Sequence, residues 1–445
     1  MNTRPAIAPD SEPHSDSHTT FFRQSGWLVV ATVSGGVFMV ATQVVANRWM
    51  EPVEYGVWFT LLRIYLLMSI PSAGLQIIFA QQAAAAVSDR QHHELARTVR
   101  ATLQGTFLLW LLMALVAWIG QREWVSQLRI TNPAALWATV LIGLASLWSP
   151  VVRGILQGQQ SFSGLGWVLI LDGVGRFLAI AVILVLGGQA AGGMIGALIG
   201  QVASLGLGAW WILRLLREPG ERVAWRPWLR RVAPLTLGIG GIQFMSNADV
   251  VFIQGVFAAE KAEVAACGYM PAAMIGLALL TFTTPLAAVM FPKVARSAAL
   301  AQDTRAVRLA LGATALLGGL AALACMVFPS LPLRIIYFTK PQYWAAAPLV
   351  PWFAWCLLPL VLANVLIGNL LARERFAIVP LLALVAVSYG GALALLKPFL
   401  LDVDTFRAFK TVVQTLGVFN LCLLGVAVLF TWAERDRTAG AERGA

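Results

Sequence analysis

TLQGTFLLWLLMALVAWIG, residues 102–120, decides the fold. The stretch carries no charge, and as a helix rising ~1.5 Å per residue it covers nearly all of the ~30 Å of a bilayer's hydrocarbon. Similar runs recur along the chain, near 25–47, 56–80, 134–156, 165–187, 191–214, 232–258, 265–291, 308–329, 344–370, 376–396 and 408–432. Trp, Tyr, Arg and Pro collect at their ends, as membrane interfaces favour. The composition agrees. The 445 residues are 59% hydrophobic and 12% charged, where a soluble domain carries about 25% charge, and the mean hydropathy is +0.75. A soluble globular domain is excluded, and the expected fold class is an all-α polytopic membrane protein of about twelve transmembrane helices.

The net charge of +11 is what a nucleic-acid partner would also predict, but its distribution answers to the membrane. Twelve spans put both termini on one side. That side carries twenty-one Lys and Arg residues and the opposite side nine, with Arg63 and Arg176 inside spans. This bias places the termini in the cytoplasm and accounts for the charge without nucleic acid. The N-terminal stretch 1–20 lacks the basic-then-apolar order of a signal peptide and reads as a flexible cytoplasmic tail. Residues 433–445 read as a second one. Cys267, Cys325, Cys356 and Cys422 each fall within a span, without metal-ligand or disulfide-framework spacing, and read as apolar packing residues.

The most basic connection, RLLREPGERVAWRPWLRR at 214–231, divides six spans from six. The expected organisation is a six-helix lobe at 21–216, a basic linker at 217–231 and a second six-helix lobe at 232–432. Six spans per half make the halves parallel repeats, and GGVFM at 35–39 corresponds to GGIQFM at 240–245. Trp225 and Trp228 among arginines suit either an interfacial segment at anionic headgroups or a solvated loop. No connection exceeds about twenty residues and no GxxxxGK[ST] loop is present. No catalytic domain, nucleotide site or nucleophile–base arrangement is expected, and His92 and His93 read as solvated.

Several stretches resemble the oligosaccharide and polysaccharide flippases of the multidrug/oligosaccharidyl-lipid/polysaccharide exporter superfamily. Asn47-Arg48-Trp49-Met50-Glu51-Pro52-Val53-Glu54-Tyr55-Gly56 is similar to that family's A-R-x-L-x-P-x-E-Y-G junction, with Asn for Ala and Met for Leu. Gly154-Ile155-Leu156-Gln157-Gly158-Gln159-Gln160-Ser161-Phe162 is similar to its L-Q-G-x-x-R-F loop, with Ser161 in place of the basic residue. Asp249-Val250-Val251-Phe252-Ile253, then Cys267-Gly268-Tyr269, then an apolar run closing at Phe291-Pro292 complete the set. The resemblance spans roughly two-thirds of the chain. It implies an inner-membrane protein with two six-helix lobes around a central cavity. Such a protein moves a polyprenyl-diphosphate-linked oligosaccharide to the outer leaflet, by alternating access, for surface polysaccharide synthesis. Its implied partners are the lipid-linked glycan, membrane lipids, and the polysaccharide polymerase and glycosyltransferases. No cofactor is implied, and coupling to a proton or sodium gradient stays open. Rival readings are a cation-coupled multidrug exporter of the same superfamily and a membrane glycosyltransferase or polymerase. The second is disfavoured by short outer connections without His.

Charges within spans are expensive and mark functional candidates. Arg63 lies ~10 Å below the outer end of span 2 and Asp249 ~13 Å below that of span 7, so the two share a depth. Arg63 is expected to meet the diphosphate as a bidentate donor, with Asp249 pairing to it when the site is empty. The alternatives are a snorkelling Arg63 and a capping or helix-bridging Asp249. Asp172 and Arg176, four apart on one helical face, read as mutual neutralisation, or as a second cavity cation and a proton or sodium site. Gln43, Asn47, Gln243 and Asn247, with Gln76, Asn364 and Asn369, could bond sugar hydroxyls or glue helices together. Pro71-Ser72-Ala73-Gly74 in span 2, and Pro271 and Pro285 in span 8, predict broken or kinked helices.

Overall fold

The computed structural model of the chain describes residues 15–220, 223–279 and 305–444. Residues 1–14 of the expected tail, Pro285 and the run ending at Pro292 lie outside the described residues. The described chain is all helix and turn. Ten helices are long and apolar enough to cross a bilayer, and two bent pairs bring the number to twelve.

The first half comprises α1 (Ser15–Trp49), α2 (Pro52–Met68), α3 (Leu75–Ala85), α4 (Asp89–Ile119), α5 (Gln121–Gln127), α6 (Ala134–Gly158), α7 (Phe162–Val185), α8 (Gln189–Trp211) and α9 (Leu213–Arg217). The second comprises α10 (Trp225–Met245), α11 (Ala248–Gly268), a stretch at 270–279, α12 (Arg305–Val327), α13 (Leu331–Ile336), α14 (Val350–Ala372), α15 (Val379–Asp402) and α16 (Thr405–Gly444). In the first half α7 packs on α1 and α8, and α6 packs on α3 and α8. In the second, α14 lies between α12 and α16, and α15 lies against α10 and α16. These are the two lobes. Their outer helices turn Leu108, Leu112, Leu316, Leu384 and Val387 outward, as lipid-facing helices do. The start of α4 is fixed by a capping box, Ser88 with Gln91.

The boundaries differ from the sequence expectation where propensity outlasts hydropathy. Helix α1 begins at Ser15 and α16 runs to Gly444, because Ala, Glu and Arg in the C-terminal stretch are good helix formers whether or not lipid surrounds them. Trp225–Arg231, expected as linker, forms the first turns of α10.

Span 2 breaks where the Pro71 tetrapeptide predicts. A 3-10 turn at Ile70–Ser72 separates α2 from α3, and the axis bends by 42°. A break in span 7 was not expected. Span 7 bends by 43° between α10 and α11, at Ser246-Asn247. Lys261 leaves helical geometry and divides span 7 from span 8, and Tyr269 begins a turn just before Pro271. The two broken spans face each other, with α2 against α11 and the 3-10 turn against α10.

Two glycines permit this approach. A Cβ on Gly56 would stand 2.8 Å from Ala266 Cβ, and one on Gly74 would stand 2.8 Å from the Thr236 amide nitrogen, both across the lobe junction. Gly74→Val is therefore expected to destabilise the protein by about 1–3 kcal/mol, the range for overpacking. Thermal unfolding of the purified protein measures it, and an unchanged midpoint refutes the close approach.

Candidate functional site

Polar side chains meet where the two breaks cross. Gln243, one turn before the break in span 7, donates Nε2 to the Leu66 carbonyl at 2.5 Å and to Ser69 Oγ at 2.8 Å. Those acceptors sit at the end of α2, where the Leu66 carbonyl also accepts from the Ser69 amide at 3.2 Å and from Ser69 Oγ at 2.7 Å. Asn247 holds its own break by donating Nδ2 to the Gln243 carbonyl at 2.7 Å. Its Oδ1 accepts from Arg63 Nη1 at 3.2 Å. Each broken helix thus satisfies part of the other.

Arg63 is 3% exposed and reaches from α2 into the second lobe. Its guanidinium lies over the Phe59 ring, 4.4 Å from the centroid, while its Nε has no hydrogen-bond partner. Asp249, 2% exposed, occupies the first turn of α11, where the helix dipole favours a carboxylate. It accepts from Tyr269 Oη at 2.7 Å. Arg63 and Asp249 line one small cavity with Ser246, Phe353 and Leu416. No ion pair joins the two among the described ion pairs; Asn247 and Tyr269 are their direct partners. Sequence reading missed Tyr269 as the carboxylate's partner.

Asp172 and Arg176 lie elsewhere, inside the first lobe. Asp172 pairs with Arg176 at 3.1 Å and with Arg153 at 2.9 Å. Arg176, 7% exposed, also donates to Tyr65 Oη at 3.0 Å and to Gln201, whose amide donates to Ser149 at 2.9 Å. This network of six residues ties α2, α6, α7 and α8 together. Gln43 accepts from Tyr55 Oη at 3.2 Å. Asn47 is fully buried with both side-chain polar atoms unpartnered. Gln76 donates to Gln157 at 3.2 Å, and Asn369 accepts from Arg373 within its own helix.

The two ends of the lobe junction differ. At the arginine-poor end, Tyr55 Oη and Tyr337 Oη are 2.8 Å apart across the lobes, with the Tyr343 ring 4.9 Å from that of Tyr337. Lys340 donates to the Met50 carbonyl, and Gln254 donates to the Leu128 carbonyl at 3.2 Å. Desolvation lowers the pKa of Lys340 from the ordinary lysine value. At the arginine-rich end a cavity of about 660 Å³ separates α3 and α4 from the start of α10.

The 47–56 junction takes on roles at the closed end. Glu54 ties it down by accepting from Thr131 and from the Ala190 amide, Tyr55 crosses to the other lobe, and Gly56 admits Ala266. A usable signal lay in the tyrosines. All six in the chain are 7% exposed or less, whereas membrane tyrosines commonly sit in interfacial belts.

Comparisons with known proteins place this architecture. A family model described as "Polysaccharide biosynthesis protein" matches residues 21–298. No curated protein matches the chain in sequence. Among solved structures, an inward-facing multidrug resistance MATE family transporter of the MOP superfamily is similar at TM-score 0.71 and 12% identity, over 92% of this chain and 96% of that one. The lipid II flippase MurJ, inward closed, is similar at 0.66 and 11%, over 90% and 87%. A MOP superfamily transporter from Pyrococcus furiosus, described by its reversed binding-pocket polarity, is similar at 0.63 and 12%, over 94% and 95%. The fold is that of these two-lobed transporters.

Removing one arm of the first-lobe network should cost more than removing the network. Arg176→Ala leaves Gln201 and Tyr65 without their donor and is expected to cost about 3–5 kcal/mol, as for a broken buried pair. Asp172→Asn combined with Arg176→Met should recover part of that in thermal unfolding. A double variant no better than the single one contradicts the neutralising role.

Proposed function

Because the chain belongs to the polysaccharide biosynthesis protein family, we propose that it carries a polyprenyl-diphosphate-linked oligosaccharide across the bacterial inner membrane by alternating access. The observation that carries this reading is Arg63, a buried guanidinium at the crossing of the two broken spans, with Nε unpartnered. A diphosphate accepts from two guanidinium nitrogens at once, and its charge would offset the buried cation. Gln43, Asn47, Gln243 and Asn247 complete the polar groups assigned to the headgroup, and Asp249 is assigned to coupling or gating through a proton or sodium gradient. Arg176 and Asp172, the other candidates for those roles, neutralise each other within the first lobe.

With the arginine-rich face in the cytoplasm, both termini are cytoplasmic, the tyrosine closure is the outer gate, and the wide cavity opens inward. Residues 21–216 and 232–432 are the rocking bodies, joined by 217–231. The prenyl chain stays in lipid while the glycan passes between the lobes. Glycosyltransferases supply the substrate and a polymerase consumes it.

A second reading is a cation-coupled multidrug exporter of the same superfamily. Fold likeness favours it, at TM-score 0.71 for the multidrug transporter against 0.66 for the flippase. Asp249 beside Tyr269 and Phe353 also makes an acidic, aromatic-lined site suited to a cation.

A deletion strain separates the two. Accumulation of lipid-linked oligosaccharide on the cytoplasmic leaflet is expected; unchanged surface glycan with altered drug tolerance overturns the flippase reading. In complementation, Arg63→Ala and Arg63→Lys should each lower surface glycan about tenfold or more, since lysine lacks the bidentate fork. Full transport by both variants removes the phosphate role. Tyr337→Phe keeps the ring and deletes one hydroxyl of the closure. It should raise thiol labelling, from the outer side, of a cysteine placed at Gln43, and equal labelling counts against the outer gate.

A further inference from the structure

The first turns of α10 carry two arginines that neither the wide cavity nor the crossing uses. Arg226, Arg230, Ala233 and Leu237 follow at i, i+4, i+7 and i+11, which sets them on one face of the helix. All four are exposed. The cavity is walled by other positions of the same turns, Pro227, Trp228 and Arg231, so the stripe turns away from it. Leu237, inside the span, is 53% exposed, as a lipid-facing side chain is. The two arginines stand at the head of that apolar stripe.

Helix length fixes their depth. The bent pair Trp225–Met245 and Ala248–Phe257 runs about 46 Å along its axes at ~1.5 Å per residue. Hydrocarbon takes up ~30 Å, and both headgroup layers bring the bilayer to ~40–45 Å. Shared between the two ends, the excess leaves about five residues of α10 beyond the hydrocarbon. These begin at Trp225, and the long side chain of Arg230 reaches the same layer. Trp225 and Leu229, one turn apart beside the arginines, are 39% and 53% exposed. Trp228 braces the Trp225 ring from 5.6 Å at 83°. Neither Arg226 nor Arg230 has an ion-pair or hydrogen-bond partner among the described residues, whereas the adjacent Arg231 is paired with Glu374 at 3.5 Å.

We propose that Arg226 and Arg230 bind the phosphate of an anionic phospholipid, whose acyl chains run along the Ala233–Leu237 face while Trp225 and Leu229 flank its glycerol. Each guanidinium donates two parallel hydrogen bonds to phosphate oxygens. A zwitterionic lipid carries an ammonium group that already offsets its phosphate, whereas an anionic lipid brings net charge to two unpaired cations. An acidic protein segment would match the arginines but not an exposed indole and leucine at headgroup depth, which suit the membrane interface. The site is independent of the cargo. Because the same turns wall the wide cavity through Pro227, Trp228 and Arg231, a headgroup held here ties the mouth of that cavity to the leaflet.

Native mass spectrometry of the full chain tests it, with titration in detergent by phosphatidylglycerol or by phosphatidylcholine of the same acyl chains. The parent is expected to bind phosphatidylglycerol more tightly. Arg226→Gln combined with Arg230→Gln should weaken that binding about tenfold or more. Phosphatidylcholine binding and the unfolding midpoint of the lipid-free chain should stay as in the parent. Arg226→Lys with Arg230→Lys keeps the charge without the fork and should lose only about threefold. Arg122→Gln with Arg407→Gln, exposed arginines at the other end, should change nothing. Equal phosphatidylglycerol affinity in the parent and the glutamine pair, an equal loss in the Arg122 and Arg407 pair, or equal affinity of the parent for both lipids overturns the site. Tighter binding of soluble poly-glutamate than of phosphatidylglycerol, lost in the Arg226 and Arg230 glutamine pair, makes the surface a protein contact and overturns the lipid reading.

Discussion

The structure depends on two interrupted helices satisfying each other. Hydrocarbon supplies no hydrogen-bond partners, so a broken span survives only where protein or a water-filled cavity serves the freed backbone. Span 2 breaks at Ser69–Gly74 and span 7 at Ser246-Asn247, and they are placed face to face. Gln243 adds a donor from the other lobe at the end of α2, and Asn247 joins its own break to Arg63. The pairing brings Arg63, Gln243 and Asn247 to one crossing that joins the lobes, apart from the buried network of the first lobe.

The same constraint sorts the buried charges into two kinds. In the first lobe Asp172 lies between Arg153 and Arg176, and the other bonds of Arg176 end on Tyr65 and Gln201, with Arg153 Nε left unpartnered. A network of directly paired charges holds helices together. At the crossing, Arg63 and Asp249 share a cavity but bond to neutral partners, Asn247 and Tyr269. Their mutual attraction therefore acts at longer range, and in a low-dielectric interior it still offsets part of the desolvation cost. A ligand charge could enter between them without first breaking a direct salt bridge. The two pairs look alike in sequence, since both join Arg and Asp within spans, and only the folded partners separate them.

Much of the architecture was legible because the membrane imposes a simple code. Apolar length gave the spans, arginine distribution gave a two-sided chain, and Pro71 with Gly74 marked the break in span 2. The break in span 7 was hidden because Ser246-Asn247 contains neither proline nor glycine. It is imposed by tertiary bonds, with Asn247 turning back on Gln243 and reaching to Arg63. Arg63 and Asp249 announced themselves as charges in hydrocarbon, whereas Tyr269 did not, since a tyrosine in a span is unremarkable until its hydroxyl is located. The closing residues Tyr337, Lys340 and Tyr343 lie in a connection that hydropathy treats as a boundary. Their meeting with Tyr55 spans nearly three hundred positions, which no local pattern can encode.

Rocking lobes require contacts near the axis that persist and contacts far from it that break. The crossing of the broken spans meets the first need, for it lies within the helices and holds buried polar bonds from lobe to lobe. The Tyr55–Tyr337, Lys340–Met50 and Gln254–Leu128 contacts meet the second, being at one end and near aqueous partners that replace them when they part. Net contributions of ~0.5–1.5 kcal/mol per hydrogen bond give this closure a few kcal/mol in all. That is the scale on which a ligand's differential affinity acts, since moving a two-state equilibrium from ~1:99 to ~99:1 takes ~5.5 kcal/mol. A closure much stronger than this would lock the lobes, and one without cross-lobe polar contacts would leave both ends open at once. The small, polar, partly aromatic closure at the arginine-poor end is thus matched to reversal by a bound ligand, while Gly56 and Gly74 let the lobes approach closely.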